Sequence, residues 1–206
     1  MTRHLNTCIS AGRQPPAVSS PGKRLPIPVF HLFVEARYDK AYWMHLAVPM
    51  EAHLGIVDAF LRQIWLECCG HLSAFTIQGR RYASAPMADF QESGMGVRLS
   101  RLLQPGMVFS YEYDYGSTTA LSLKVLAVRA RATDRGAVEL LARNDAPMAA
   151  CDQCGSQPAT MVCTECASED QGGWLCEPCA DGHDCGTEMC LPVVNSPRVG
   201  VCGYTG

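Results

Sequence analysis

Residues 151–185 read CDQCGSQPATMVCTECASEDQGGWLCEPCADGHDC, and this stretch decides how the end of the chain folds. It contains three Cys-x2-Cys pairs followed by a His-x-Cys pair. Two cysteines separated by two residues can direct both sulfurs at one ion, and two such pairs complete the tetrahedron of soft ligands that Zn2+ prefers. The sequence therefore predicts two zinc ions held by eight side chains: Cys151, Cys154, Cys163, Cys166, Cys176, Cys179, His183 and Cys185.

These eight ligands can be paired in two ways. In a cross-braced module the first and third Cys pairs share one ion, and the second pair shares the other ion with His183 and Cys185. In a sequential module the first two pairs share one ion, and the third pair joins His183 and Cys185. We favour the cross-brace because His183 follows the third pair so closely that a shared ion would need a very tight loop. Cys190 could replace Cys185, and Cys202 is expected to pack in the valine-rich tail.

The predicted ions are structural rather than catalytic. A structural zinc ion is closed by four protein ligands, whereas a catalytic ion keeps one position open for water. Eight ligands for two ions leave no open position. Residues 151–206 contain few large apolar side chains, so we expect this segment to unfold without metal, since structural Zn2+ contributes about 10–16 kcal/mol in small fingers.

Charge is unevenly distributed along the chain, although its net value is only -3. Residues 151–206 carry eight acidic side chains against one basic side chain, Arg198. Phosphate backbones are bound by clustered lysine and arginine, so an acidic module disfavours nucleic acid and favours a protein partner. Residues 1–25 carry only basic charges, contain several prolines and glycines, and are predicted to form a disordered tail.

The cysteine pattern also indicates a compartment. The chain has 12 cysteines, but its start, MTRHLNTCISAGRQPP, lacks the apolar region of a secretory signal. No apolar run approaches the length of a membrane span. Metal binding in a reducing cytoplasm is therefore favoured over a secreted disulfide scaffold.

Residues 26–146 are predicted to form an α+β domain, followed by the zinc-binding module and its tail at 147–206. Alternating apolar residues predict hairpins within 28–49, 71–84 and 107–132, with a final strand at 138–144. Between the first two hairpins the period becomes helical, which predicts one long helix packed on the antiparallel sheet and stopped at Gly70. Its apolar face is formed by Leu54, Val57, Leu61, Ile64, Trp65 and Cys68.

Three runs carry a resemblance to a known family: WLECCGHLSAF (65–75), YEYDYGSTTALSLKV (111–125) and LPVVNSPRVGVCGY (191–204). The chain resembles the plasmid pRiA4b ORF-3-like family, which includes passenger proteins of bacterial insertion elements. The resemblance covers about residues 28–146, and the zinc-bearing tail looks like an extension found in one branch. It implies an α+β domain and a plasmid or mobile-element setting, without a biochemical activity.

The resemblance departs from the family pattern in the last hairpin. Many members continue with Asp, Trp and His where this chain has Ser117, Thr119 and Leu121. A site built from those three side chains is therefore not expected here.

Other reactive residues have ordinary interpretations as well. The vicinal pair Cys68-Cys69 could be a redox switch or a metal site, but Cys68 on the apolar helix face favours a small core thiol. His71, His45 and His31 could join Asp114 in a catalytic group. No nucleophile elbow, phosphate loop or HExxH motif accompanies them, which favours hydrogen-bonded framework histidines.

The function predicted from the sequence is a non-enzymatic, zinc-binding protein-interaction adaptor. A first alternative is a nucleic-acid-binding accessory protein of a mobile element, using the basic tail and arginines of the first domain. Those arginines are Arg80, Arg81, Arg129, Arg131 and Arg135. A second alternative is an enzyme with a site near His71 and Asp114.

Overall fold

The computed structural model describes residues 26–131, 138–169 and 171–206, so the predicted tail at 1–25 lies outside the described residues. An eight-stranded sheet dominates, with the order β5-β4-β3-β6-β7-β1-β2-β8. All neighbouring strands are antiparallel except β4 and β5. The strands are β1 (Ile27–Ala36), β2 (Trp43–Pro49), β3 (Ser73–Ile77), β4 (Arg80–Ala83), β5 (Ser93–Gly94), β6 (Val108–Tyr113), β7 (Thr119–Arg131) and β8 (Glu139–Arg143).

The three predicted hairpins and the final strand are confirmed. Strand β1 pairs with β2, β3 pairs with β4, and β6 pairs with β7, while β8 pairs with β2 at the sheet edge. The register places Leu32 opposite Leu46 and Val34 opposite Met44, and all four side chains are buried. Alternating apolar residues therefore share one face of the sheet, as a period of two requires.

The prediction of one long helix is wrong. Helix α1 (Leu54–Leu61) continues as a π-helical turn, Arg62–Leu66, and together they make the longest helix in the described residues, with 13 residues. The apolar period runs on to Cys68, but the backbone becomes extended at Glu67. The Glu67 carboxylate then accepts hydrogen bonds from the Gly70 N–H (2.6 Å) and the Tyr113 hydroxyl (3.0 Å). These bonds fix a turn where the side-chain pattern alone would continue the helix.

The main core lies between this helix and one face of the sheet. Leu54, Val57, Leu61 and Trp65 are fully or almost fully buried against the strands. Full burial of such side chains contributes about 1.5–3 kcal/mol each. Two short 3-10 turns, Ala88–Phe90 and Leu99–Arg101, lie in the connection from β4 to β6.

The cysteine-rich end forms a second, three-stranded sheet with the order β10-β9-β11. Its elements are β9 (Met161–Cys163), α2 (Thr164–Ser168), β10 (Trp174–Leu175), α3 (Glu177–Asp181), a 3-10 turn (Thr187–Met189) and β11 (Cys190–Pro192). The buried cluster of this part consists mostly of cysteines: Cys151, Cys163, Leu175, Cys176, Ala180 and Cys190. Such a core buries little apolar area, so other interactions must hold these short elements together.

The chain after β11 returns to the first sheet. Ser196 donates a hydrogen bond to the Trp65 carbonyl oxygen (2.5 Å), and Asn195 and Asn144 bond to each other through their side chains (2.8 Å). Arg198, fully buried, donates to the Asp114 carboxylate at 2.7 Å. Among the described residues, no helix has the length and apolar character needed to span a membrane.

Candidate metal centres

The second and third Cys-x2-Cys pairs each lie at a junction between a strand and a helix. Cys163 ends β9 and Cys166 lies in α2, while Cys176 follows β10 and Cys179 lies in α3. A strand leading directly into a helical turn brings both sulfurs of a Cys-x2-Cys pair to one side. The sequence pattern therefore has a local structural basis in both junctions.

The first cluster consists of Cys151, Cys154, Cys176 and Cys179, whose four sulfur atoms all lie within 4.8 Å of one another. The sulfurs of Cys154 and Cys176 are 3.8 Å apart. With Zn–S bonds of about 2.3 Å, two sulfurs on one tetrahedral ion lie about 3.8 Å apart. The spacing of the cluster therefore suits a tetrahedral ion.

The second cluster consists of Cys163, Cys166, His183 and Cys185, with its ligand atoms within the same 4.8 Å limit. The Cys166 sulfur lies 3.7 Å from the Cys185 sulfur and 3.3 Å from Nε2 of His183. Shorter sulfur–nitrogen than sulfur–sulfur distances are expected around zinc, because a Zn–N bond is about 0.2 Å shorter than a Zn–S bond.

Gly173 makes the second cluster possible. Its backbone is left-handed (φ +105°), and a Cβ atom there would lie 3.0 Å from the Cys163 carbonyl oxygen and from the Cys166 Cβ. Only glycine combines that conformation with so close an approach. The chain can therefore pass directly behind the Cys163–Cys166 pair and hydrogen-bond to it through the Gly173 carbonyl oxygen (2.8 Å).

The electrostatics of the first cluster favour a cation. The Ser156 hydroxyl donates to the Cys154 sulfur (3.4 Å) and, with nearby backbone N–H groups, lowers the pKa of that thiol to about 6. Hydrogen bonding with Cys176 raises the pKa of Cys179 to about 12. One thiolate thus forms easily, but further negative charges in the same cluster need a positive ion to stabilise them.

This grouping is the one that the cross-braced interpretation predicts, since the ligands alternate between clusters along the chain. Cys185 lies in the second cluster, whereas Cys190 lies outside all three clusters of the described residues. Burial raises the pKa of Cys190, and its thiol contacts Cys163. The assignment of the eight residues as zinc ligands remains a prediction.

A third cluster was not predicted. It consists of Cys68, Cys69, His71 and Cys202, and its ligand atoms also lie within 4.8 Å of one another. The expectation that Cys202 packs in the tail is wrong, because its side chain is exposed. Cys68 is half-buried rather than a core thiol, because the helix ends before it. Three Cys/His clusters, one more than the two metal sites predicted, could therefore hold metal ions, and no disulfide joins the cysteines of the described residues.

The other histidines fit a framework role. His31 and His45 lie on neighbouring strands, are almost fully buried, and share a hydrogen bond of 2.9 Å between their rings. Burial, followed by the charges of His45 and Arg129, lowers the pKa of His31 to about 4. Burial also lowers the pKa of His45. Both rings are therefore neutral near pH 7, and the hydrogen bond between them links the side chains of β1 and β2.

Of the three histidines that could join Asp114 in a catalytic group, His71 lies beside it. His71 Nδ1 lies 3.6 Å from Asp114 Oδ1. The same oxygen accepts the Gly116 N–H (3.0 Å), and Oδ2 accepts the Arg198 guanidinium. Both carboxylate oxygens are thus already engaged, which suits orientation of the imidazole more than proton transfer.

Comparison with known proteins identifies no family for this chain. The chain matches no protein-family model and no curated protein. Among solved structures it is similar to a protein of unknown function from Methanosarcina mazei Go1, with a TM-score of 0.47 and 16% identity. That match covers 61% of this chain and 72% of the other. At this identity and score it supports no inference about function, and the pRiA4b ORF-3-like resemblance remains a prediction.

Proposed function

We propose that the chain is a non-enzymatic zinc-binding protein whose cross-braced module presents an acidic surface to a basic protein partner. The first and second clusters hold structural Zn2+ in this proposal, because each provides four protein ligands and so closes the coordination shell. Soft thiolate and imidazole ligands favour zinc over magnesium or calcium. The pRiA4b ORF-3-like, plasmid or mobile-element setting and the cytoplasmic location belong to the same proposal.

The observation that carries the proposal is the charge on the surface of the module. Its acidic side chains in the described residues are all exposed: Asp152, Glu165, Glu169, Glu177, Asp181, Asp184 and Glu188. Its single basic side chain, Arg198, is fully buried and paired with Asp114. No cation on the module surface therefore offsets the seven carboxylates. Such a surface repels phosphate backbones and attracts lysine- or arginine-rich protein surfaces.

The nucleic-acid alternative is weakened by the surroundings of two of its arginines. Arg81 forms ion pairs with Glu92 (2.9 Å) and Glu112 (3.0 Å) and stacks on Tyr115. Arg131 forms an ion pair with Glu139 (3.1 Å). Paired cations release fewer counterions on binding DNA, so they contribute less to phosphate affinity. Arg135 lies outside the described residues.

A capture experiment tests the proposal. The zinc-loaded chain is used as bait in extracts of the cells that encode it, beside a variant with Glu169, Asp181 and Glu188 changed to lysine. The matched control reverses three exposed acids of the first domain: Asp39, Glu51 and Asp89. We expect the module variant and the metal-free protein to lose the same captured protein, and the control to keep it.

The nucleic-acid alternative is tested by measuring the affinity of the chain for duplex and single-stranded DNA at increasing salt concentrations. Two results together would refute the acidic-surface proposal: the chain binds DNA with an affinity that falls steeply with salt, and the variant with reversed module acids still captures the protein. Zinc content of every variant is measured, so that loss of the fold is distinguished from loss of charge.

A further inference from the structure

The third cluster joins two distant parts of the chain. Cys68, Cys69 and His71 come from the turn between α1 and β3, and Cys202 comes from the tail after the zinc module. The sulfurs of Cys69 and Cys202 are 3.6 Å apart, although 133 positions separate them in the sequence. The Cys202 sulfur lies 3.6 Å from Nε2 of His71. These distances are close to those in the first and second clusters.

The His71 ring has the orientation of a metal ligand. Its Nε2 faces the sulfurs, while Nδ1 faces Asp114 at 3.6 Å. Histidines that bind metals usually present their second nitrogen to a carboxylate or carbonyl, which fixes the tautomer and strengthens the ligand. Asp114 supplies that carboxylate from a left-handed backbone position (φ 63°) in the β6–β7 turn.

The ligands are also held in place by the protein around them. The Gly70 N–H bonds to Glu67, and the Cys68 N–H lies 3.4 Å from the Tyr113 hydroxyl, so the turn that carries three ligands has a fixed shape. On the tail side, Arg198 binds Asp114 and lies beside the Cys68 thiol. Its positive charge offsets part of the negative charge that three thiolates would bring around one divalent ion.

We propose that Cys68, Cys69, His71 and Cys202 form a third site for a thiophilic divalent cation of the zinc class, which fastens the tail of the zinc module to the first sheet. Three sulfur ligands and one imidazole make a closed tetrahedral set of the Cys3His type. Asp114 is a positioning residue for His71 and does not bind the ion.

This third ion is the most accessible of the three. Cys69 and Cys202 are exposed, whereas Cys151 and Cys163 in the other clusters are almost fully buried. A cleft of about 470 Å³, lined by α2, the tail and Ser117 of the β6–β7 turn, also lies beside Cys202. A chelator therefore reaches this ion before the other two, and its removal releases Cys202 from Cys68, Cys69 and His71 without unfolding the cross-braced module.

Metal counting in the full chain tests the proposal. Wild type and the variants Cys69→Ser and Cys202→Ser are reduced, loaded with excess zinc, desalted and analysed for zinc per chain. Cys8→Ser, in the segment outside the described residues, is the cysteine control. We expect three ions in wild type and Cys8→Ser, and two in the other variants. Two ions in wild type would overturn the proposal.

A second readout separates ligation from packing. With Co2+ as the probe, the third site supplies three of the ten cysteine ligands in the three clusters. Thiolate-to-cobalt absorption should therefore fall by about a third in Cys69→Ser and in Cys202→Ser, since each thiolate ligand contributes to it. Unchanged absorption in both variants would contradict the proposal, as would an intact mass showing a Cys69–Cys202 disulfide in the reduced, zinc-loaded wild type. Because both substituted side chains are exposed, circular dichroism should show an intact fold.

Discussion

Arg198 offers a direct test of how the tail is attached, because its side chain is fully buried and carries the only positive charge of the module. It donates to the Asp114 carboxylate (2.7 Å), the Ser117 carbonyl oxygen (3.1 Å) and the Thr119 hydroxyl (3.1 Å). Arg198→Met keeps much of the side-chain volume but removes the charge and all these bonds.

The expected loss in the free energy of unfolding follows from the Asp114 carboxylate, which the substitution leaves buried without its partner. Removing one partner of a buried ion pair typically costs about 3–5 kcal/mol, because the other charge stays buried without compensation. Asp114 keeps the Gly116 N–H, so we expect a value near the lower end of that range, about 3 kcal/mol. Adding Asp114→Asn should recover part of this loss, with a coupling energy of about 1–3 kcal/mol.

The assay is urea unfolding of the zinc-loaded protein, together with hydrogen exchange in residues 195–204. The matched control is Arg98→Met, because Arg98 forms an exposed ion pair with Glu51 (2.8 Å) that should be worth about 0–1 kcal/mol. We expect Arg198→Met to lower the free energy of unfolding and to speed exchange in the tail, while Arg98→Met does neither. Equal effects of the two substitutions, or no coupling with Asp114→Asn, would refute this account of tail attachment.

Three further predictions address the metal sites and the buried histidines. Chelation of all metal should unfold residues 151–192 and leave the first sheet folded, because Arg198 and Ser196 hold the tail without metal. This should be seen as fast hydrogen exchange confined to the cysteine-rich end; uniform unfolding would contradict it. Gly173→Ala should weaken the second cluster by about tenfold to a hundredfold in a zinc competition assay, because backbone strain of about 1–3 kcal/mol opposes the folded site. Burial lowers the pKa of His31 from 6.5 to about 4. Between these two pH values the unfolded chain binds a proton at His31 and the folded chain does not. The stability that His31 contributes above pH 6.5 is therefore lost progressively as the pH falls to about 4. His31→Gln should reduce the pH dependence of the free energy of unfolding, measured with urea, in that range. An unchanged pH dependence would contradict the lowered pKa of His31.

The sequence predicts local features well where one short segment determines them. The hairpins follow from side-chain alternation, as in the pairing of Leu32 with Leu46. The second and third half-sites follow from Cys-x2-Cys spacing, because a strand and helix junction turns both sulfurs to one side. Their grouping was inferred separately, from the short spacer between Cys179 and His183. In both cases the pattern that sets the geometry lies within one short segment or two segments joined by a short turn, so the sequence predicts it directly.

The long helix fails for the opposite reason. Its apolar period continues to Cys68, but a hydrogen bond between Glu67 and Tyr113, 46 positions apart, ends the helix earlier. The third cluster depends on this early end, since a helix continuing through Cys69 would hold it away from the tail. A signal was present in the sequence: Cys68, Cys69 and His71 together form a half-site of the same kind as the others. Nothing in their spacing indicates that Cys202 completes it.

The three clusters should respond differently to metal loss because of how they divide the chain. In the cross-brace, the second pair lies between the two halves of the first cluster, and the third pair lies between the two halves of the second. Losing either ion therefore frees a segment that the other ion needs, which makes their release cooperative. The third cluster instead closes a loop between the first sheet and the tail, and Arg198 and Ser196 hold that tail independently. Metal release followed with a colorimetric chelator should thus show one early ion and then two together, and Cys202→Ser should remove only the early phase. Three equal, independent steps would show that the ligands do not interlock in this way.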